Sequence, residues 1–337
     1  MKKFLFLLFI TQIAFSQKTY FQQKVDYTIN VKLNDIKHEL SAEESIVYTN
    51  NSLDTLTFIY FHLWPNAYKD NNTALVSQML QHGNRSLYFA KDVDRGYIDS
   101  LNFKEDTTAL KIEYDKNNED ICKVYLSQPL LPLKSTTITT PFKVKIPSAL
   151  FSRLGHINQA YYISQWYPKP AVYDANGWNP MPYLDQGEFY SEFGSFDVSI
   201  TLPKNYVLNA TGDRFDNEDE ENFLREKIAT TERKIKLIDS SNFKSNLSFP
   251  KSDSVLKTVR FKQDNVHDFA WFADKRYNVL RGEMKLPHTK KTVTTWAFFT
   301  DKDINLWKDA ITYISDATFY YSLWNGDYAY NNISAVD

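Results

Sequence analysis

Residues 161–200 read YYISQWYPKPAVYDANGWNPMPYLDQGEFYSEFGSFDVSI. Eleven of the 37 positions from Tyr161 to Asp197 are aromatic, against 16% of the whole chain. Asp174, Asp185, Glu188, Glu192 and Asp197 are threaded among the rings. Rings bury large apolar areas, while Tyr and Trp carry a polar atom that needs a partner. Two readings follow. The segment is either an irregular loop pinned to a β core by its rings, since aromatics are usually packing, or a wall between two packed bodies that lines a cleft.

On both sides of this segment the pattern is β. Upstream, Val25–Leu33 alternates apolar and polar residues for nine positions, the signature of a half-buried strand. Ser45–Thr49, Leu56–Trp64, Leu110–Tyr114, Cys122–Leu126 and Thr136–Val144 continue it. Thr73–Leu80 reads as a short helix capped by Asn72. Downstream, Phe196–Pro203 and Val207–Thr211 alternate again, and Lys227–Ile238, Ser254–Phe261 and Thr292–Phe299 read as further strands. The charged run Asp213–Glu221 reads as a solvated loop tip rather than a cation or partner site. Short strands at this spacing predict an antiparallel sandwich or saddle.

The period changes near the end. Ile304, Trp307, Ile311, Ile314, Ala317 and Phe319–Tyr320 recur at mostly three- and four-residue steps, predicting one long amphipathic helix over 303–324. Asp301 or Asp303 is its expected N-cap and Gly326 its stop. The fold class is therefore mainly β, followed by the opening of something helical.

Bulk composition narrows the function. The 337 residues allow two or three domains, and 43% hydrophobic content supports a sizeable core. With 39 basic and 41 acidic residues well mixed, there is no clustered basic face for nucleic acid. Lys2 and Lys3, the apolar run Phe4–Ile10 and the small residues Ala14 and Ser16 predict a signal peptide over 1–16, cut before Gln17. The run is too short to span a bilayer, and no later stretch reads as a transmembrane segment. The expectation is export to a periplasmic, cell-envelope or secreted location. Cys122 is the sole cysteine, which rules out an internal disulfide and a thiol-rich zinc site. The six histidines include no H-E-x-x-H pairing, and there is no G-x-S-x-G elbow, P-loop or dinucleotide fingerprint.

The central segment nonetheless carries a pattern. Gln165-Trp166-Tyr167-Pro168, then Pro182-Tyr183-Leu184-Asp185, then Phe196–Pro203 and Asn209-Ala210-Thr211-Gly212, resembles the aminopeptidase N family of gluzincin zinc metallopeptidases. The wording of Val266–Trp271 (VHDFAW) resembles its secreted bacterial branch, and Asn325–Asp337 resembles the stretch before the family's G-x-M-E-N motif.

The resemblance implies a saddle-shaped N-terminal β domain over 17–285 and the beginning of a thermolysin-like α/β catalytic domain over 286–337. Zinc is implied only for the complete protein, since the family's ligands and catalytic residues would fall beyond Asp337. The implied partners are a peptide substrate and the protein's own C-terminal catalytic domain. Gln165 matches a family Gln whose segment lines the substrate cleft, and Tyr167 falls where the family has Glu or Gln gripping the substrate's free amine. A phenol lacks the charge a carboxylate offers an ammonium. The competing reading is a non-catalytic exported β module that binds peptides or glycans through exposed rings such as Trp166 and Trp178.

Overall fold

The computed structural model describes residues 20–215, 218–239 and 243–337; the signal peptide expected over 1–16 lies outside them. The mainly β expectation holds: 41% of the described residues are strand and 18% helix. The largest sheet is built on three eleven-residue strands, Lys24–Asn34, Glu39–Thr49 and Ser135–Lys145, paired antiparallel in that order. Gly194–Pro203 joins Lys24–Asn34 in parallel, with Val25 opposite Gly194. Leu256–Val266 and Asp213–Phe215 extend that side.

The sheet forms because its strands alternate. Val25, Tyr27, Ile29, Val31 and Leu33 are all buried, whereas Lys24, Thr28, Asn30, Lys32 and Asn34 face water. The buried face packs against a second sheet, ordered Lys169–Pro170, Leu56–His62, Ile121–Leu130 and Ile112–Tyr114. A third, ordered Gly155–Ile157, Ala160–Ile163, Trp271–Asp274 and Val207–Ala210, completes one continuous core.

A separate three-stranded sheet holds Asn278–Lys285, Thr292–Phe299 and Asn332–Val336, the last pair parallel. Its first hairpin spans residue 285.

Helices differ from expectation in three places. Helix α1, Ala74–Gln81, is capped by Thr73, whose hydroxyl accepts from the Val76 amide; Asn72 is not the cap. Helix α2, Glu218–Asp239, takes the last four residues of what reads as a loop tip, whose first three form the strand Asp213–Phe215, and all of what reads as the strand Lys227–Ile238. Its four acidic residues Glu218–Glu221 form the first turn, where the helix dipole favours them. Leu224, Ile228, Ile235 and Ile238 face the three-stranded sheet. The β-branched residues of Lys227–Ile238 imitated a strand, while the Leu224–Ile228–Ile235–Ile238 spacing already fitted a helix.

The final helix is broken into α3, Ile304–Trp307, and α4, Ala310–Asn325. Asp303 is the N-cap residue of α3, as expected, though its side chain makes no capping hydrogen bond. Asp301 instead accepts from Lys234 and Asn278, tying α2 to the sheet. Gly326 does end α4, at φ 97°, with its amide donating to the Ser322 carbonyl.

Candidate functional site

The strand Ala160–Ile163 ends at Ser164, and Gln165 then takes a left-handed backbone conformation at φ 49°. That turn sends Trp166 and Tyr167 into the core before the chain re-pairs at Lys169–Pro170 with His62 and Phe61. Opposite lies the short connection between Leu256–Val266 and Trp271–Asp274, which carries His267 and Asp268.

Asp268 organises the contact. Its Oδ1 accepts from the Tyr167 hydroxyl at 2.9 Å and the Phe269 amide at 2.8 Å. Its Oδ2 accepts from Gln165 Nε2 and lies 3.3 Å from Lys169 Nζ. Lys169 also donates to the His267 carbonyl at 2.7 Å, and Trp166 Nε1 donates to the Phe269 carbonyl at 3.1 Å. Two strand connections are thereby stapled through one carboxylate.

The electrostatics follow from burial. Desolvation pushes the Tyr167 phenol well above its ordinary pKa, and neighbouring Asp268 pushes it the same way, so it stays a donor. Burial lowers the Lys169 pKa, while Asp268 opposes the fall. His62, stacked on Trp64 with ring centroids 4.5 Å apart, is pushed down to about 3 by burial and, secondly, by Lys169, so it is neutral.

The structure thus brings Gln165 and Tyr167 together, at a carboxylate that the sequence reading passed over. Tyr167 is 1% exposed and its hydroxyl is spent on Asp268. A carboxylate offers about four lone-pair directions, and all four of Asp268 face donors. The cluster therefore fixes the shape of the segment. Gln165 Oε1 is buried and has no hydrogen-bond partner. The missed residues, Asp268 and Lys169, had a visible signal: each is a charge set inside an apolar run, DFAW and YPKPA.

The aromatic segment resolves toward packing. Trp166, Tyr161, Tyr167 and Tyr183 all belong to the one core of the β body. Trp166 is fully buried, so it is no ligand platform, and Trp178 is partly buried against Tyr48, Phe58, Tyr60 and Tyr173. Other residues join the β body to the three-stranded sheet. Asn331 and Asn332 donate to Asp213, and the Tyr330 hydroxyl donates to the Asn265 carbonyl at 2.7 Å. Among the described residues, no three His, Cys, Asp or Glu side chains converge to hold a metal. These described residues therefore offer no zinc site of their own.

This arrangement of a large twisted sheet, flanking sheets and a following three-stranded unit has the fold of the N-terminal region of M1 zinc metallopeptidases. The M1 zinc metallopeptidase from Deinococcus radiodurans superimposes with TM-score 0.51 at 11% identity, covering 94% of this chain and 56% of that chain. A mutant of a two-domain M1 zinc metallopeptidase bound to L-tryptophan gives TM-score 0.52 at 11% identity, with the same coverage. The same values as for the Deinococcus enzyme hold for a Deinococcus radiodurans mutant bound to a Tyr-Ser-Ala substrate. The chain thus spans 56% of the length of these solved structures. No family model and no curated protein matches the sequence.

Proposed function

We propose that this chain is the N-terminal part of an exported zinc metallopeptidase of the aminopeptidase N type. Residues 17–285 form the β domain that walls the peptide cleft, and residues 286–337 begin the catalytic domain, whose strand Thr292–Phe299 pairs with Asn278–Lys285 at the join. Peptide-bond hydrolysis and zinc binding belong to the protein completed by its C-terminal catalytic domain. There the metal would polarise the scissile carbonyl and activate water. Residues 1–16 direct export.

One observation, beyond the fold, supports this reading. Helix α4 is apolar nearly all round, which is the composition of a helix buried on every side. Its sheet-facing side uses Ala310, Ile311, Ile314, Thr318 and Ser322. Its opposite side displays Tyr313, Tyr320, Tyr321 and Trp324, the last two 70% and 72% exposed. Beside it lies an apolar cleft of about 770 Å³ floored by Ile333 and Ala335 of the edge strand. A surface of this kind calls for a covering layer, and a helical catalytic domain supplies one.

The test joins residues 17–337 to the polypeptide encoded after Asp337. Hydrolysis of aminoacyl anilides and bound zinc are then measured on the joined protein and on 17–337 alone. The joined protein should hydrolyse the substrate and lose activity to a chelator. A downstream frame without H-E-x-x-H, or a joined protein that holds no zinc, overturns the proposal.

A further inference from the structure

Two imidazoles stack face to face where the large sheet meets the third sheet. His38 closes the turn over 35–38, between Lys24–Asn34 and Glu39–Thr49. His156 lies in Gly155–Ile157. The ring centroids are 3.8 Å apart and the planes are inclined by only 10°. Both residues are half-buried. His38 holds its place in the left-handed backbone region, at φ 55°, which His adopts more readily than most residues. Its carbonyl accepts from the Ile146 amide at 2.9 Å, tying the turn to the chain beyond Ser135–Lys145.

The surroundings decide which nitrogens titrate. His156 Nδ1 lies 2.9 Å from the Asn158 carbonyl oxygen. A carbonyl only accepts, so Nδ1 carries the hydrogen and Nε2 is the base. The buried Tyr161 hydroxyl donates to the Asp35 carbonyl at 3.3 Å. His38 Nδ1, 2.9 Å from that hydroxyl, therefore donates to it, and Nε2 is again the base. Asp35 favours a charged His38, but its carboxylate already takes the hydroxyls of Tyr206 and Ser252 and the Gln159 amide. Lys275 in turn donates to Gln159 and Ser252. Asp94 favours a charged His156 and Lys145 opposes it. Burial is the larger influence on both rings: it lowers His156 and, joined by the second ring, pushes His38 down to about 4. A second proton would put two like charges in stacked rings, where each disfavours the other.

We infer that His38 and His156 form an acid-sensitive latch. With both rings neutral the 35–38 turn is closed on the third sheet; with both protonated the rings part and the turn opens. Opening breaks the His38–Tyr161 contact, and Tyr161 lies in the strand Ala160–Ile163 that leads through Ser164 to Gln165. The latch thereby couples pH to the ordering of the Gln165 segment. The inference does not depend on the peptidase proposal, because it concerns the β body alone. The open form takes up protons that the closed form refuses. Below pH 6.5 the open population therefore grows by up to about tenfold per pH unit for each histidine.

The test is amide hydrogen exchange of the whole chain by mass spectrometry at pH 6.5, 5.5 and 4.5, corrected for the intrinsic pH dependence of exchange. Protection of peptides spanning Ile146 should fall by between about tenfold and a hundredfold per unit, as two titrating rings require. Peptides within Leu56–His62, in the second sheet, should keep their protection over the same range. His38→Asn tolerates the left-handed turn, and His156→Phe keeps a ring to stack. Each leaves one titrating ring and should limit the fall to about tenfold per unit at most; the double variant should abolish it. Unchanged protection at Ile146 from pH 6.5 to 4.5 overturns the inference. So does a fall in the double variant as steep as in the wild type, or an equal fall in Leu56–His62, which marks global unfolding.

Discussion

Glu44 sits in the middle of Glu39–Thr49, opposite Ile29 on one side and Thr140 on the other, on the face that packs inward. It is 2% exposed, and neither carboxylate oxygen has a hydrogen-bond partner. Burial raises its pKa well above the ordinary carboxylate value of 4.5. An uncompensated buried charge is far costlier than a buried neutral acid, so the native state keeps the proton. The folded protein therefore holds a proton that the unfolded chain releases once the pH passes the unfolded value. Stability must fall as pH rises through that window, by about 1.4 kcal/mol per pH unit for as long as the buried carboxyl stays protonated. Glu44→Gln keeps the shape and removes the titration. At pH 4 the two proteins should agree within about 1 kcal/mol, since each buries an unpaired polar head. From pH 5 upward the variant should gain on the wild type along the stated slope. Urea unfolding of both proteins at half-unit steps from pH 4 to 8 measures this, and other titrations cancel in the difference. A difference that stays flat with pH, or a variant that is the weaker protein at neutral pH, refutes the reasoning.

Three further outcomes follow from the same structure. Asp268→Asn leaves the buried Lys169 ammonium without its counter-charge and should cost about 3–5 kcal/mol in chemical denaturation; Lys169→Met in the same background should recover part of it. Gly194→Ala would put a Cβ 1.6 Å from the Val25 carbonyl oxygen, so the parallel pairing must part. A loss of about 3 kcal/mol or more, read as a lowered melting temperature, is expected. His62 is held neutral with its pKa pushed down to about 3, so the unfolded chain takes up its proton first as pH falls below about 6.5. Stability should drop by about 1.4 kcal/mol per unit from there toward pH 3, and His62→Gln should flatten that acid limb.

The strands of the large sheet were readable because each has one wet face and one dry face. Val25–Leu33 shows that alternation without ambiguity, and the structure extends it by one residue at each end. Helix α2 was readable too, through Leu224, Ile228, Ile235 and Ile238, but Ile and Thr carry strand propensity and drew the reading the other way. For α4 the periodic stripe gave the helix and Gly326 its end. It misjudged which side packs, because the sheet accepts the small residues Thr318 and Ser322 while Phe319 and Tyr320 turn outward. An apolar list cannot rank two apolar faces; only the neighbouring surface can.

The site divides in the same way. That the rings of the Tyr161–Ile200 stretch matter was written in their density, and the likeness to an M1-type fold was written in Gln165–Pro168 and Phe196–Pro203. Which atoms meet was not. Gln165 and Asp268 are 103 residues apart, and their contact depends on a left-handed turn at one and a strand end at the other. His38 and His156 likewise stack only because two sheets abut there. Local patterning is set by side-chain period against solvent, which the chain carries in itself. Charge pairing across sheets depends on the relative placement of bodies, and no single segment contains that information.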